Sequence, residues 1–85
     1  MKYPCRLELN RVGSWKLLTI FDGENAVAAW NIRAAAELLA RMINDPASGR
    51  TSTVSLRITT DDPDPLLLYR WTGKDNGRWE ELPPR

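Results

Sequence analysis

Histidine is missing from this chain altogether. The commonest general base, the commonest metal ligand and the side chain that changes charge near neutral pH are therefore unavailable. Cysteine occurs once, at Cys5. A lone thiol excludes an internal disulfide framework, and without histidine it argues against the usual zinc-ligand sets. Its inward strand position reads as a small buried hydrophobe. Single-cysteine usage fits a reducing compartment, so the cytoplasm is expected. Neither GxGxxG nor the GxxxxGK phosphate loop occurs, and no cofactor is expected. No apolar run approaches the ~20 residues that span a bilayer, so no membrane partner is expected, and no secretory signal follows the first residues. Neither sign of charge is in excess: 12 basic and 11 acidic side chains leave a net +1. That balance argues against a nucleic-acid binder with a concentrated basic face and against a wholly acidic mimic.

What is present is the composition of a folded protein, 42% hydrophobic with four tryptophans in 85 residues. That length suits one small domain, 1–85, with a thin core. The first half reads as a meander. Residues 3–12 alternate through Cys5, Leu7 and Leu9, Gly13-Ser14 is a hairpin turn, and 15–21 form a second strand. Asp22-Gly23 is a further turn signal, and 25–30 (NAVAAW) is read as a third strand. These turns place Leu9 opposite Leu18, Leu7 opposite Ile20 and Trp15 opposite Trp30. One face then carries Cys5, Leu7, Leu9, Leu18, Ile20, Val27 and Ala29, and is assigned to the core. The other carries Val12, Trp15, Leu17, Phe21, Ala28 and Trp30 among polar residues.

Residues 32–44 have the periodicity of an amphipathic helix with Asn31 as N-cap. Its stripe is Ile32, Ala35, Ala36, Leu39 and Ile43, widened by Leu38 and Met42. Arg33, Glu37 and Arg41 follow at i, i+4 as ordinary surface ion pairing. A competing parse starts the helix near Asn25, because alanine favours helix. It is set second because Trp30 would then point away from the stripe. Asp45-Pro46 ends the helix and 46–52 are a loop.

Residues 53–60 alternate cleanly, with Val54, Leu56 and Ile58 inward and Ser55, Arg57 and Thr59 outward. Asp61, Asp62 and Asp64, interleaved with prolines, read as a solvated turn rather than a cation site. Strands at 66–72 and 78–82 follow, stopped by Pro83-Pro84. Two Arg-Trp dipeptides, Arg70-Trp71 and Arg78-Trp79, flank a loop from Gly73 to Gly77. One register across that loop pairs Trp71 with Trp79, Arg70 with Glu80 and Leu68 with Leu82. A tighter Asn76-Gly77 turn is the alternative.

The expected fold is α+β: an antiparallel sheet of five to six strands on one helix, in the order β-β-β-α-β-β-(β). The function this favours is a non-enzymatic protein-binding module using large aromatics and arginines, the residue types enriched at binding hot spots. Its candidate partner-binding residues are Trp15, Leu17, Phe21, Trp30, Arg57, Arg70, Trp71, Arg78 and Trp79. The partner would be a larger protein or ribonucleoprotein complex, or a second copy in a homodimer. Two alternatives are a single-stranded nucleic-acid or ribonucleoprotein accessory domain built on the Arg-Trp hairpin, and a small non-catalytic subunit of an enzyme complex. In size, in its lack of catalytic residues and in its compact α+β layout, the chain is similar to small phage or mobile-element proteins that block host defences, such as anti-CRISPR proteins. The similarity implies inhibition by occupying a surface of a host complex and assigns no residue.

The isolated, metal-free protein is expected to show no turnover in broad hydrolase, nuclease and transferase screens. Reproducible turnover that co-purifies with the chain would refute the non-enzymatic reading.

Overall fold

The computed structural model describes residues 2–45, 47, 53–73 and 77–82. The elements are β1 (Pro4–Arg11), β2 (Ser14–Asp22), α1 (Ala26–Asn44), β3 (Ser55–Thr60), β4 (Leu67–Trp71) and β5 (Glu80–Glu81). The five strands form one sheet in the order β2-β1-β3-β4-β5, and every neighbouring pair is antiparallel. The fold is α+β, a sheet with one helix on one face. The expected Pro83-Pro84 stop and most of the loops at 46–52 and 73–77 lie outside the described residues.

Residues 25–30 are not a strand. Asn25 is extended and its Oδ1 accepts from the Ala28 N–H at 3.0 Å, so it is the N-cap and the helix runs six residues further back than Ile32. The cap satisfies one of the helix's free N–H donors, and the alanine-rich sequence carries the helix on. The element order is accordingly β-β-α-β-β-β, and Asn31 lies within the helix.

The first hairpin turns one residue earlier than expected. Arg11 pairs with Ser14, leaving Val12 and Gly13 as the two-residue loop, both with positive φ (54° and 80°). This is the geometry of a type I′ turn, whose backbone twist suits a hairpin. Leu9 faces Lys16 rather than Leu18, and Leu7 faces Thr19 rather than Ile20. A bulge between these two pairs leaves Leu18 without an opposite residue. One extra residue inverts the alternation of everything beyond it. Phe21 therefore joins Cys5 on the helix side, while Ile20 faces outward with Arg6.

The core lies between sheet and helix: Cys5, Leu7, Leu9, Phe21, Val54, Leu56, Ile58 and Trp71 from the sheet, Ala29, Ala36 and Ala40 from the helix. The inward set expected for β3 is found, and Ile32 and Ile43 pack against the cluster. Leu38, Leu39 and Met42 do not; they remain exposed. Arg41 and Glu37 form the expected i, i+4 ion pair at 3.2 Å, but the row Arg33, Glu37 and Arg41 does more than pair on the surface. The Arg33 guanidinium lies 4.7 Å from the Tyr69 ring centroid, Glu37 accepts from the Trp71 indole N–H at 3.3 Å, and Arg41 donates to the Gly77 carbonyl at 3.1 Å. This flank of α1 therefore clamps β4 and the segment leading into β5. At the helix's C-terminal end, Asn44 donates to the Val54 carbonyl (3.2 Å) and accepts its N–H (2.7 Å), which starts β3 in register.

Trp71 is the largest of the fully buried side chains, 2% exposed. Its indole N–H also donates to the Gly77 carbonyl. A Cβ on Gly77 would sit 2.8 Å from the Trp71 ring, and Gly77 has φ +60°, so the position demands glycine on both counts.

Val12 is β-branched, 80% exposed and held at φ 54°. That conformation costs a branched residue roughly 1–2 kcal/mol, whereas asparagine tolerates it. Val12→Asn is expected to raise stability by about 1 kcal/mol. A urea denaturation midpoint at or below the wild-type value would contradict the turn geometry.

Candidate functional site

With the helix on one face, the other face of the sheet is open. The registers align one residue from every strand across it. Leu17 lies opposite Glu8, Glu8 opposite Arg57, Arg57 opposite Arg70, and Arg70 opposite Glu80. Two arginines thus stand directly opposed in the middle of the row. Like charges in that relation are destabilising, and each is offset by a carboxylate on its outer side. Arg57 Nε donates to Glu8 at 2.8 Å, and Arg70 donates to Glu80 through Nε (2.8 Å) and Nη2 (3.4 Å). Hydrogen bonding to Glu80 pushes the Arg70 pKa up, its charge adding in the same direction. Glu8 is only 8% exposed and has a second cation, Arg6, at 3.6 Å; Arg6 also reaches Asp61 at 3.2 Å.

The Trp15 ring completes this arrangement, with the Arg57 guanidinium 4.1 Å from its centroid. Such stacking contributes roughly 0.5–1 kcal/mol near a surface. Trp15, Arg57, Leu67 and Arg70, with Ser55 and Thr72, line an open groove of about 210 Å³.

The expected site residues separate into four places. Trp15, Leu17, Arg57 and Arg70 share the open face. Phe21 and Trp71 lie in the core and present no ring to a partner. Trp79 is half-buried on the helix side: its indole N–H donates to the Arg33 carbonyl (3.0 Å) and its ring meets Tyr69 edge-on at 6.5 Å. Trp30, 68% exposed on α1, shares with this Trp79 ring a shallow pocket of about 170 Å³ that Arg33 and Glu37 also line, and Arg78 is exposed in the approach to β5. The expected patch of Trp15, Leu17, Phe21 and Trp30 therefore does not exist as one face. The helical conformation of 26–30 removes Trp30, and the bulge at Leu18 removes Phe21.

The terminal hairpin keeps part of its expected register. Arg70 pairs with Glu80, and the Leu82 N–H donates to the Leu68 carbonyl at 2.9 Å. The aromatic pair is Tyr69 with Trp79, however, while Trp71 turns under the helix to meet Glu37 and Gly77. Both tryptophans are anchors between the hairpin and α1. Alternation places Glu8 among the polar residues of the outward face, but neither its pairing with Arg57 nor the part played by Leu67 was anticipated. The Glu8 pairing joins strands distant in sequence, and Leu67 is set opposite Thr59 by a register shift within the β3–β4 hairpin.

Cys5 is buried, and that burial pushes its thiol pKa up, with the Asp22 charge acting the same way against a hydrogen bond from Gly23. It is held in the protonated, weakly nucleophilic form. Asp62 Oδ1 accepts from the Asp64 N–H at 3.0 Å, which closes a local turn. Among the described residues no three His, Cys, Asp or Glu side chains gather as a metal site, and no helix is long and apolar enough to cross a membrane. No family model matches the chain, and neither do any curated protein or solved structure.

Removing Arg57 would leave Glu8 with only the longer contact to Arg6. Breaking a fully buried pair costs 3–5 kcal/mol; with the Arg57 side chain 33% exposed to solvent, about 1–3 kcal/mol is expected for Arg57→Ala. The double variant Glu8→Gln, Arg57→Ala should recover part of that loss. Strictly additive effects in the denaturation cycle would show that the two side chains are not coupled.

Proposed function

We propose that this chain is a non-enzymatic protein-binding module that occupies an acidic surface of a larger protein or ribonucleoprotein through the open face of its sheet. The observation that carries this reading is the opposition of Arg57 and Arg70 in the centre of the charged row. A fold gains nothing from placing two guanidiniums opposite one another. A carboxylate brought between them by a partner would relieve the repulsion, and guanidinium forks suit carboxylates in particular. Trp15 and Leu67 flank the arginines and supply the apolar contact of a binding centre, which charges alone do not. Glu8 and Glu80 at the outer positions of the row would repel acidic groups arriving out of register, which favours one docking position. The absence of histidine and the protonated, buried state of Cys5 support a non-catalytic role.

The nucleic-acid alternative rested on free tryptophan rings in the Arg-Trp hairpin. The burial of Trp71 and the bond from the Trp79 indole to α1 weigh against that reading, because they take one ring wholly and the other partly out of reach of a base.

A photo-crosslinker placed at Leu67 is expected to capture a protein from native-host extract. Capture should weaken with rising salt and drop several-fold when Arg70→Ala is added, and should persist after nuclease treatment. Capture that is indifferent to Arg70→Ala, or that disappears with nuclease, would sink the proposal.

A further inference from the structure

The two edges of the sheet are unequal. β5 closes one side with two residues, whereas β2 runs nine residues along the other with no strand beyond it among the described residues. A long edge with unpaired backbone groups recruits another strand unless charge or proline blocks it. β2 contains no proline, its only cation is Lys16, and Leu17, Leu18 and Ile20 are exposed along it.

The helix leaves a second apolar surface on the same side. At 3.6 residues per turn, Arg33, Glu37 and Arg41 lie on one side of the Ala29, Ala36, Ala40 seam, and Ala35, Leu39 and Met42 lie on the other. The first side contacts Tyr69, Trp71 and Gly77, towards β4 and β5. The flank with Ala35, Leu39 and Met42 consequently faces the β2 edge, where Leu39 and Met42 are exposed.

We propose that the chain forms a two-fold homodimer in which β2 pairs antiparallel with β2 of a second copy, the α1 flanks meeting above the joined strands. Three observations select a second copy as the occupant. The first is charge: Lys16 lies near the hairpin end of β2, with Arg11 beside it at the end of β1, and Asp22 closes the other end, with Glu24 just beyond it. Antiparallel self-pairing sets the basic end of each copy against the acidic end of the other.

The second is register. The bulge at Leu18 places Leu17 and Ile20 on the same face of the sheet, which a regular strand would not do for residues three apart. With the two-fold axis between Leu18 and Thr19, Leu17 of each copy lies opposite Ile20 of the other. Lys16 lies opposite Phe21, also on a common face. No like charges oppose one another.

The third is extent. A stable interface needs roughly 800 Å² from each partner, about an eighth of the 5987 Å² surface of one copy. A lone extended segment would cover the edge and leave the helix flank bare, whereas a second copy covers both. The dimer does not rest on the open-face proposal, since neither Arg57 nor Arg70 takes part in it.

Sedimentation equilibrium of the full chain from micromolar to near-millimolar concentration tests this directly. A dimer is expected in that range. Leu18→Lys puts a charge beside the two-fold axis and should leave only monomer, with a denaturation midpoint equal to that of the wild type at dilutions where the wild type is itself monomeric. Met42→Lys should weaken association by about tenfold. A Cys5→Ala, Leu17→Cys, Ile20→Cys variant should oxidise to a covalent dimer. Its two new thiols sit about 10 Å apart within a strand, beyond the reach of an internal disulfide, so this readout does not depend on Leu18→Lys folding. Monomer at every concentration, a dimer unaffected by Leu18→Lys, failure to cross-link, or uptake of another protein's extended segment by a monomer would each overturn the proposal.

Discussion

Contact between the alanine seam of α1 and the sheet governs the rest of the molecule. Ala29, Ala36 and Ala40 are the buried residues of a nineteen-residue helix. Short side chains let the helix backbone lie close to the strands, so the bulk of the core has to come from the sheet. Leu7, Leu9, Phe21, Leu56, Ile58 and Trp71 supply it, each large side chain contributing roughly 1.5–3 kcal/mol when fully buried. The larger helix residues are then excess to the core. Trp30, Leu38 and Met42 point outward because the space beneath the helix is already filled. The same close approach puts Arg33, Glu37 and Arg41 within reach of β4 and the Trp71 anchor, so one flank of α1 is committed to the last hairpin and the other is left uncovered.

This arrangement explains what could and could not be read from the sequence. β3 was legible because Val54, Leu56 and Ile58 alternate with polar residues, and periodicity of two has one structural meaning there. β2 was not. Leu17-Leu18-Thr19-Ile20-Phe21 is apolar at nearly every position, so the pattern fixes neither a face nor a register. The bulge that decides both is a response to pairing with β1, not a local preference. The helix start was misread for a related reason. Trp30 was expected to share an inward stripe, and its failure to fit argued for a strand at 25–30. A seam of small residues removes that requirement, and alanine propensity with the Asn25 cap decides the conformation.

The candidate site divides along the same line. Arg70 and Glu80 could be paired because they lie ten positions apart on one hairpin. Arg57 could be placed outward by alternation alone. What alternation could not supply is the row itself: Glu8 is forty-nine positions from Arg57, and their union depends on β3 occupying the centre of the sheet with β1 beside it. Once that topology holds, Arg57 is bound to Glu8 on one side and faced by Arg70 on the other. A row of alternating signs would have satisfied folding more fully. The observed order, acidic at both ends with two arginines inside, concentrates positive charge at the point where Trp15 and Leu67 leave a groove.

Joining two copies at β2 would make the open faces continuous. Leu17 ends the charged row on its β2 side, so the rows of the two copies would approach the two-fold axis from opposite directions. Between them would lie the Leu17 and Ile20 side chains of both copies, bordered by the two Trp15 rings. The resulting surface has an apolar centre and an arginine groove on each side of it. A partner surface with matching two-fold symmetry could engage both grooves at once, and the second contact would form at the high effective concentration set by the first. Weak carboxylate contacts at exposed arginines would then add to useful affinity without any single groove having to be deep. The edge and the open face, separate surfaces in one copy, become parts of one binding surface in two.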